Sequence, residues 1–185
     1  MGWIKAAEEA AFVFVEGLIQ GETPTLSASD QTKLALLACT IFSMIDLTEP
    51  EASAISFAER SHMRLTNTPP PNWHLFIGRA DSLAWHMRYR HHAAISLPQG
   101  AVPRGQKSNM QVATATIGKL LLHVVSSQDL RFLTQPAAYA RLLNIACLGA
   151  SEVIDFNALP RLDEAALENV AERLVAEVLQ PSTRF

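Results

Sequence analysis

The chain has 185 residues, 49% of them hydrophobic and 18% charged, with a formal net charge of -3 at pH 7. That balance suits a globular protein able to bury a sizeable core and excludes a disordered chain. The small net value hides an asymmetry: residues 1–59 set two cations against nine acids, residues 60–123 set eight against Asp81 alone, and residues 124–185 set five against eight.

In chain order, "WIKAAEEAAFVFVEGLIQG" predicts a helix rich in Ala, Glu and Leu, stopped by Gly21 with Pro24 beyond it. "SASDQTKLALLACTIFSMIDL" predicts a second helix capped by Ser29 or Asp30 and apolar almost all round, hence central to the core. Its run "LALLACTIFSMI" is about half of the ~20 residues a membrane span needs. The start of the chain, with Glu8 and Glu9, lacks the cationic and apolar regions of a signal peptide. The expectation is therefore a cytoplasmic protein with no membrane partner. "TEPEASAISFAERSHMRL" predicts a third helix with Thr48 as N-cap and Pro50 in its first turn, ended firmly by "TNTPPPN".

The stretch "SLAWHMRYRHHAAISL" fits two periods. At helical spacing, the stripe through Phe76, Ile77, Ala80, Leu83, Ala84 and Met87 strands Trp85 and Tyr89 on the polar side. At period two, Leu83, Trp85, Met87, Tyr89 and His91 form an inner face, and His86, Arg88, Arg90 and His92 an outer one. The alternation favours a strand. "WHLFIGR" predicts another, which "RADS" would turn back into it as an antiparallel hairpin. After the loop "PQGAVPRGQKSN", the run "MQVATATIGKLLLHVVS" predicts two strands joined by a two-residue turn at Gly118-Lys119. The tail returns to helix, from Pro136 to a stop at Gly149, and again from an Asp163 cap through Leu167, Val170, Leu174 and Val178. The sum is one α+β domain over 1–185, with helices at both ends flanking an antiparallel sheet of about four strands between residues 73 and 126.

The basic strand face is the leading candidate site. Alternate strand residues lie about 6.6 Å apart, so His86, Arg88, Arg90 and His92 match successive phosphates of DNA or RNA, with Arg104 and Lys107 extending the patch. The same residues equally suit a solvated face or a docking surface for the chain's own acidic helices. His86 and His92 lie too far apart for one metal ion, and His91 points away, so no metal site is expected. His62 and His74 sit near the proline loop, and His123 reads as a partly buried histidine needing one hydrogen-bond partner. Cys39 and Cys147 are far apart in apolar sequence, which suggests buried free thiols. No phosphate loop or nucleophile motif is present, and no cofactor is expected. Arg79 and His86 have the loose spacing of an all-helical HEPN ribonuclease, but that site requires a helix across this region.

"GWIKAAEEAAFVFVEGLIQGETPTLSASDQTKLALLACTIFSMIDL" resembles the segment just after the HNH motif in a group of bacterial HNH-endonuclease-like proteins. There, a "CNxGWM" element leads into a helix ending in "LIxG", then a leucine-rich helix opening with "L" and "DQ". "AERSHMRLTNTPPP", "ATIGKLLLHVV" and "ALPRLDEAALENVAERL" are similar to the same group's downstream region. The resemblance rests on apolar patterning and on Gly2, Trp3, Gly21, Gln31, Arg60 and Gly118. The chain begins where the cysteine-containing element would end, so none of the nuclease's functional residues carries over. The resemblance implies a non-catalytic nucleic-acid-binding or accessory domain. The alternative is a protein-interaction module, an inhibitor or a small homo-oligomer exploiting the charge asymmetry.

Overall fold

The computed structural model describes residues 3–22, 25–48, 53–94, 109–127, 136–149 and 152–179. Helix α1 (Trp3–Gln20) ends at Gly21, whose φ of +79° only glycine adopts without strain. After the two-residue strand β1 (Thr25–Leu26) comes α2 (Ala28–Thr48). Its cap is Ser27, earlier than the Ser29 or Asp30 expected. The Ser27 hydroxyl accepts from the Asp30 N–H, and the Asp30 carboxylate accepts from the Ser27 N–H, each at 3.2 Å. Asp30 thus completes the cap from inside the helix, and the Ser27 bonds hold its carboxyl below the usual value. Thr48 closes α2 and does not open the next helix. Helix α3 (Phe57–Thr66) is capped by Ser56 with Glu59, because that pair satisfies two end donors at once. Pro50 lies outside the described residues.

Four eight-residue strands occupy the region where about four were expected: β2 (Trp73–Ala80), β3 (Met87–Ala94), β4 (Met110–Ile117) and β5 (Leu120–Ser127). Helix α4 (Pro136–Leu142) follows, then the short strands β6 (Ala146–Cys147), β7 (Ile154–Asp155) and β8 (Arg161–Leu162), and finally α5 (Glu164–Leu179). The main sheet runs β3-β4-β5-β2-β6, with β8 parallel to β2, while β1 and β7 pair separately. Gly149 does not stop a helix, since α4 ends early and β6 pairs with β2 at Phe76 and Ile77.

β2 and β3 do not form the expected hairpin. Leu75, Phe76, Ile77 and Gly78 are all buried, so β2 needs neighbours on both sides and takes β5 on one and β6 and β8 on the other. Residues 81–86 instead carry the chain across the sheet to β3, whose described partner is β4. The β4–β5 hairpin turns at Gly118-Lys119 as expected. Gly118 has φ +57°, and a Cβ there would lie 2.4 Å from the Ile19 carbonyl oxygen. The Lys119 N–H donates to that oxygen at 2.8 Å, which fixes the hairpin tip to the end of α1.

The sheet is covered on both faces. Trp73, Leu75, Ile77, Ala113, Leu120 and Leu122 pack with Leu34, Phe42 and Met63 from α2 and α3. Phe76, Val112, Leu121 and Val125 pack with Tyr139, Leu143, Leu167 and Val170 from α4, its following turn and α5. Buried Gln31 ties α2 to the late segments, donating to the Glu152 carbonyl at 2.6 Å and accepting from the Gly149 N–H at 3.2 Å. No described helix is long and apolar enough to cross a membrane.

Candidate functional site

Strand β3 has the predicted alternation with its faces differently used. Met87 and Tyr89, expected inside, are 80% and 50% exposed. The helical layer of α1 and α2 sits against β5, whereas α5 crosses β3 and β4 on the other face. The cations therefore point toward a helix. Arg88 Nη1 lies 3.0 Å from the Glu168 carboxylate, Arg90 Nε 3.9 Å from Glu172, and His92 Nε2 3.4 Å from Glu172. The Arg88 guanidinium also lies 4.8 Å from the ring centre of Trp85, which is fully buried in the turn ahead of the strand. His86 belongs to that turn and is exposed, away from the ion-paired row. Arg104 and Lys107 lie outside the described residues. The six proposed contacts thus do not form one open row: three face α5, one stands apart, and two are not described.

His91 points to the opposite face, as expected, but into a polar cluster. Its side chain is 2% exposed, 3.9 Å from the Asp46 carboxylate and 3.2 Å from Gln111 Oε1. Asp46 is itself buried and accepts from Arg60 at 2.7 Å, Ser53 at 2.5 Å and the Ala54 N–H at 2.9 Å. Arg60 further donates to the Ser43 and Ile55 carbonyls. This network ties α2, α3 and β3 together and satisfies a carboxylate that could not otherwise be buried.

His123 is fully buried and has two partners where one was expected. Nδ1 lies 2.8 Å from the Thr114 hydroxyl and Nε2 2.8 Å from the Tyr139 hydroxyl, so a neutral ring donates through one nitrogen and accepts through the other. Burial pushes its pKa down to about 3. Burial also raises the Cys39 thiol well above its ordinary value and, less strongly, that of Cys147, which leaves both weakly nucleophilic. His62 bonds the Thr68 hydroxyl, and among the described residues no group of three or more metal-ligating side chains could hold an ion. The ribonuclease alternative falls on geometry: Arg79 lies in β2 and His86 in a turn, not on one helix.

A different cluster of cations forms where β2, β8 and the β4–β5 hairpin meet. Arg79 and Arg161 are register partners in the parallel β2–β8 pairing, which sets them side by side on one face. The Ala80 N–H donates to the Lys119 carbonyl and the Asp81 N–H to the Leu162 carbonyl, both at 2.8 Å, so the end of β2 is pinned to both neighbours. Lys119 Nζ reaches Asp81 at 2.8 Å. Its hydrogen bond and charge, followed by the charges of Arg161 and Arg79, hold the Asp81 carboxyl below its usual value. One guanidinium nitrogen of Arg79 donates to the Asn157 carbonyl at 3.1 Å, which orients the group.

Together Arg79, Ala80, Asp81, Lys119 and Arg161 line a niche of about 90 Å³. Asp81 and Lys119 also form a wall of a larger cleft of about 490 Å³, completed by Ile19, Glu22, Leu83 and His86 among others. Three cations around one carboxylate suit an anion, and the adjoining cleft mixes apolar walls with hydrogen-bonding groups. Sequence reasoning missed this site because its cations come from three separated segments. The hints were Lys119 at the tip of a predicted turn and Arg79, singled out there for a different chemistry. No protein-family model, curated protein or solved structure matches this chain.

Proposed function

We propose that the chain is a non-catalytic nucleic-acid-binding or accessory domain, as its HNH-associated resemblance implies, and that phosphate is met by Arg79, Lys119 and Arg161 instead of the β3 face. The observation that carries this reading is the gathering of three cations from β2, β8 and the hairpin tip around the carboxylate of Asp81. The β3 cations are poorer candidates, because Glu168 and Glu172 already stand against Arg88, Arg90 and His92. An incoming phosphate would have to displace a carboxylate from each.

Fluorescence anisotropy with a short single-stranded oligonucleotide at low salt tests the assignment. Arg79→Gln with Arg161→Gln should weaken binding at least about tenfold and lower the salt slope by about 0.7, the share of the one phosphate the niche meets. Arg88→Ala with Arg90→Ala should change the affinity less than about twofold. The reverse ranking would return the site to β3, and no binding at low salt would remove the nucleic-acid reading.

One observation favours a second reading, a protein-interaction module that self-associates. Met87 and Tyr89 stand exposed on the same face of β3, and β4 is its described strand partner. Pairing of β3 from two copies would set these side chains beside their counterparts as cross-strand neighbours. Light scattering should then show a dimer that Met87→Lys with Tyr89→Lys converts to monomer, and a monomeric wild-type chain would end this reading.

A further inference from the structure

We infer that the niche takes the terminal phosphate monoester of a nucleotide strand, with the end nucleoside lying in the adjoining cleft. The inference rests on the proposed nucleic-acid reading and specifies its ligand. Charge is the first argument. Arg79, Lys119 and Arg161 against Asp81 leave a surplus of two positive charges. A monoester is close to a dianion at pH 7, since its second ionisation lies near pH 6. It neutralises that surplus, whereas an internal diester brings a single negative charge and leaves half of it unanswered.

Shape is the second argument. At about 90 Å³, bounded by the ends of β2 and β8 and by the hairpin tip, the niche has room for one phosphoryl group. An internal phosphate needs chain to enter and leave, and a row of contacts along a groove serves that better. The niche instead borders a larger cleft of about 490 Å³, the two sharing Asp81 and Lys119 as a wall. That cleft has the features a nucleoside uses. The exposed His86 ring offers a stacking surface, Leu83 and Ile19 offer apolar contact, and Glu22 and Ser82 offer polar partners for sugar hydroxyls or base edges.

Rigidity is the third. Every edge of the niche is held by main-chain bonds: Ala80 to Lys119, Asp81 to Leu162, Gly118 to His86 and Lys119 to Ile19. The strands and turn that carry the cations are thus fixed before any ligand arrives, which reduces the ordering a ligand must impose. Asp81 acts as the internal counter-charge that lets three cations share the space.

The test compares oligonucleotides of one sequence bearing a 5′-phosphate, a 3′-phosphate or hydroxyls at both ends, titrated into the full chain by anisotropy. One phosphorylated probe should bind at least about tenfold tighter than the hydroxyl probe, and lowering the pH from 7 to about 5.5 should erode that preference as the monoester takes up a proton. Arg161→Gln should abolish the preference. Asp81→Asn should strengthen binding of the phosphorylated probe, an outcome that mere damage to the fold could not produce. Binding of all three probes with equal affinity would overturn the inference while leaving the nucleic-acid reading intact. Failure of every probe to bind would overturn both, and a preference unaffected by Arg161→Gln would overturn the placement of the phosphate.

Discussion

Acid should destabilise this protein chiefly through one buried histidine before its carboxylates titrate. His123 is fully buried between Thr114 and Tyr139, and its pKa falls from 6.5 in the unfolded chain to about 3 in the fold. The unfolded chain therefore takes up the proton first. The contribution of neutral His123 is complete above pH 6.5 and declines as the pH falls, until the folded ring itself titrates near pH 3. The slope over that window is about 1.4 kcal/mol per pH unit, so about 2 kcal/mol is lost by pH 5. Asp30 and Asp81, whose carboxyls are held below the ordinary 3.8, give up their own stabilisation only as the pH falls below about 5, outside the range from pH 7 to 5. Half-buried His74, also pushed down by burial, adds a smaller loss of the same sign. Urea unfolding followed by circular dichroism at pH 7, 6 and 5 reads the effect. His123→Gln keeps a polar group between the two hydroxyls, removes the titration and should flatten most of the decline, while His74→Gln should flatten less. If His123→Gln and the wild-type chain lose equal stability between pH 7 and 5, the reasoning from burial is refuted.

Two further outcomes follow from the packing. Arg60→Met strips the buried Asp46 carboxylate of its cation and should cost about 3–5 kcal/mol in urea unfolding, with Asp46→Asn added to it recovering part of the loss; a cost below about 1 kcal/mol would show that Ser53 and Ala54 suffice to hold Asp46. Gly118→Ala combines a left-handed backbone with a Cβ placed 2.4 Å from the Ile19 carbonyl, and it should cost clearly more than Gly149→Ala, where φ is +87° but nothing lies within 4 Å. Equal losses in thermal unfolding would mean that the hairpin tip shifts freely.

The parts of the fold legible in the sequence are those written in local chemistry. Gly21 and the Gly118-Lys119 turn mark where backbone conformation must change, and Asp163 does begin α5, its carboxylate accepting from the Ala166 N–H at 2.9 Å. The four long strands emerge from alternation and β-branched content. The errors fall where tertiary contacts decide. Reading Thr48 as a cap fails because α2 continues through it, and Ser56 with Glu59 offers the complete capping box. Reading 73–97 as a hairpin fails because β2 is apolar on both faces, a central-strand signature that its neighbours "RADS" and "SLAW" do not reveal. Alternation likewise separates the two sides of β3 but does not say which one the sheet will cover. Aromatic and apolar content argues for Met87 and Tyr89 inside, yet α5 supplies carboxylates to the other side.

That exchange explains why the charge pattern is informative and its simplest interpretation is not. A segment with eight cations and one acid must find anions somewhere. Within the chain they come from the segments on either side: Asp46 of α2 meets Arg60, and Glu168 and Glu172 of α5 meet Arg88, Arg90 and His92. Arg79 and Lys119 belong to the same basic segment, but their place in the sheet differs. Parallel pairing of β2 with β8 brings them a third cation, Arg161, instead of a carboxylate, and among the described residues lining the niche Asp81 alone offsets the three. Cations brought together at an electrostatic cost need a compensating partner, and where the fold provides too few, a ligand is the natural source. The density of basic residues in sequence is therefore a weaker guide to a site than the balance each cation finds once the strands have paired.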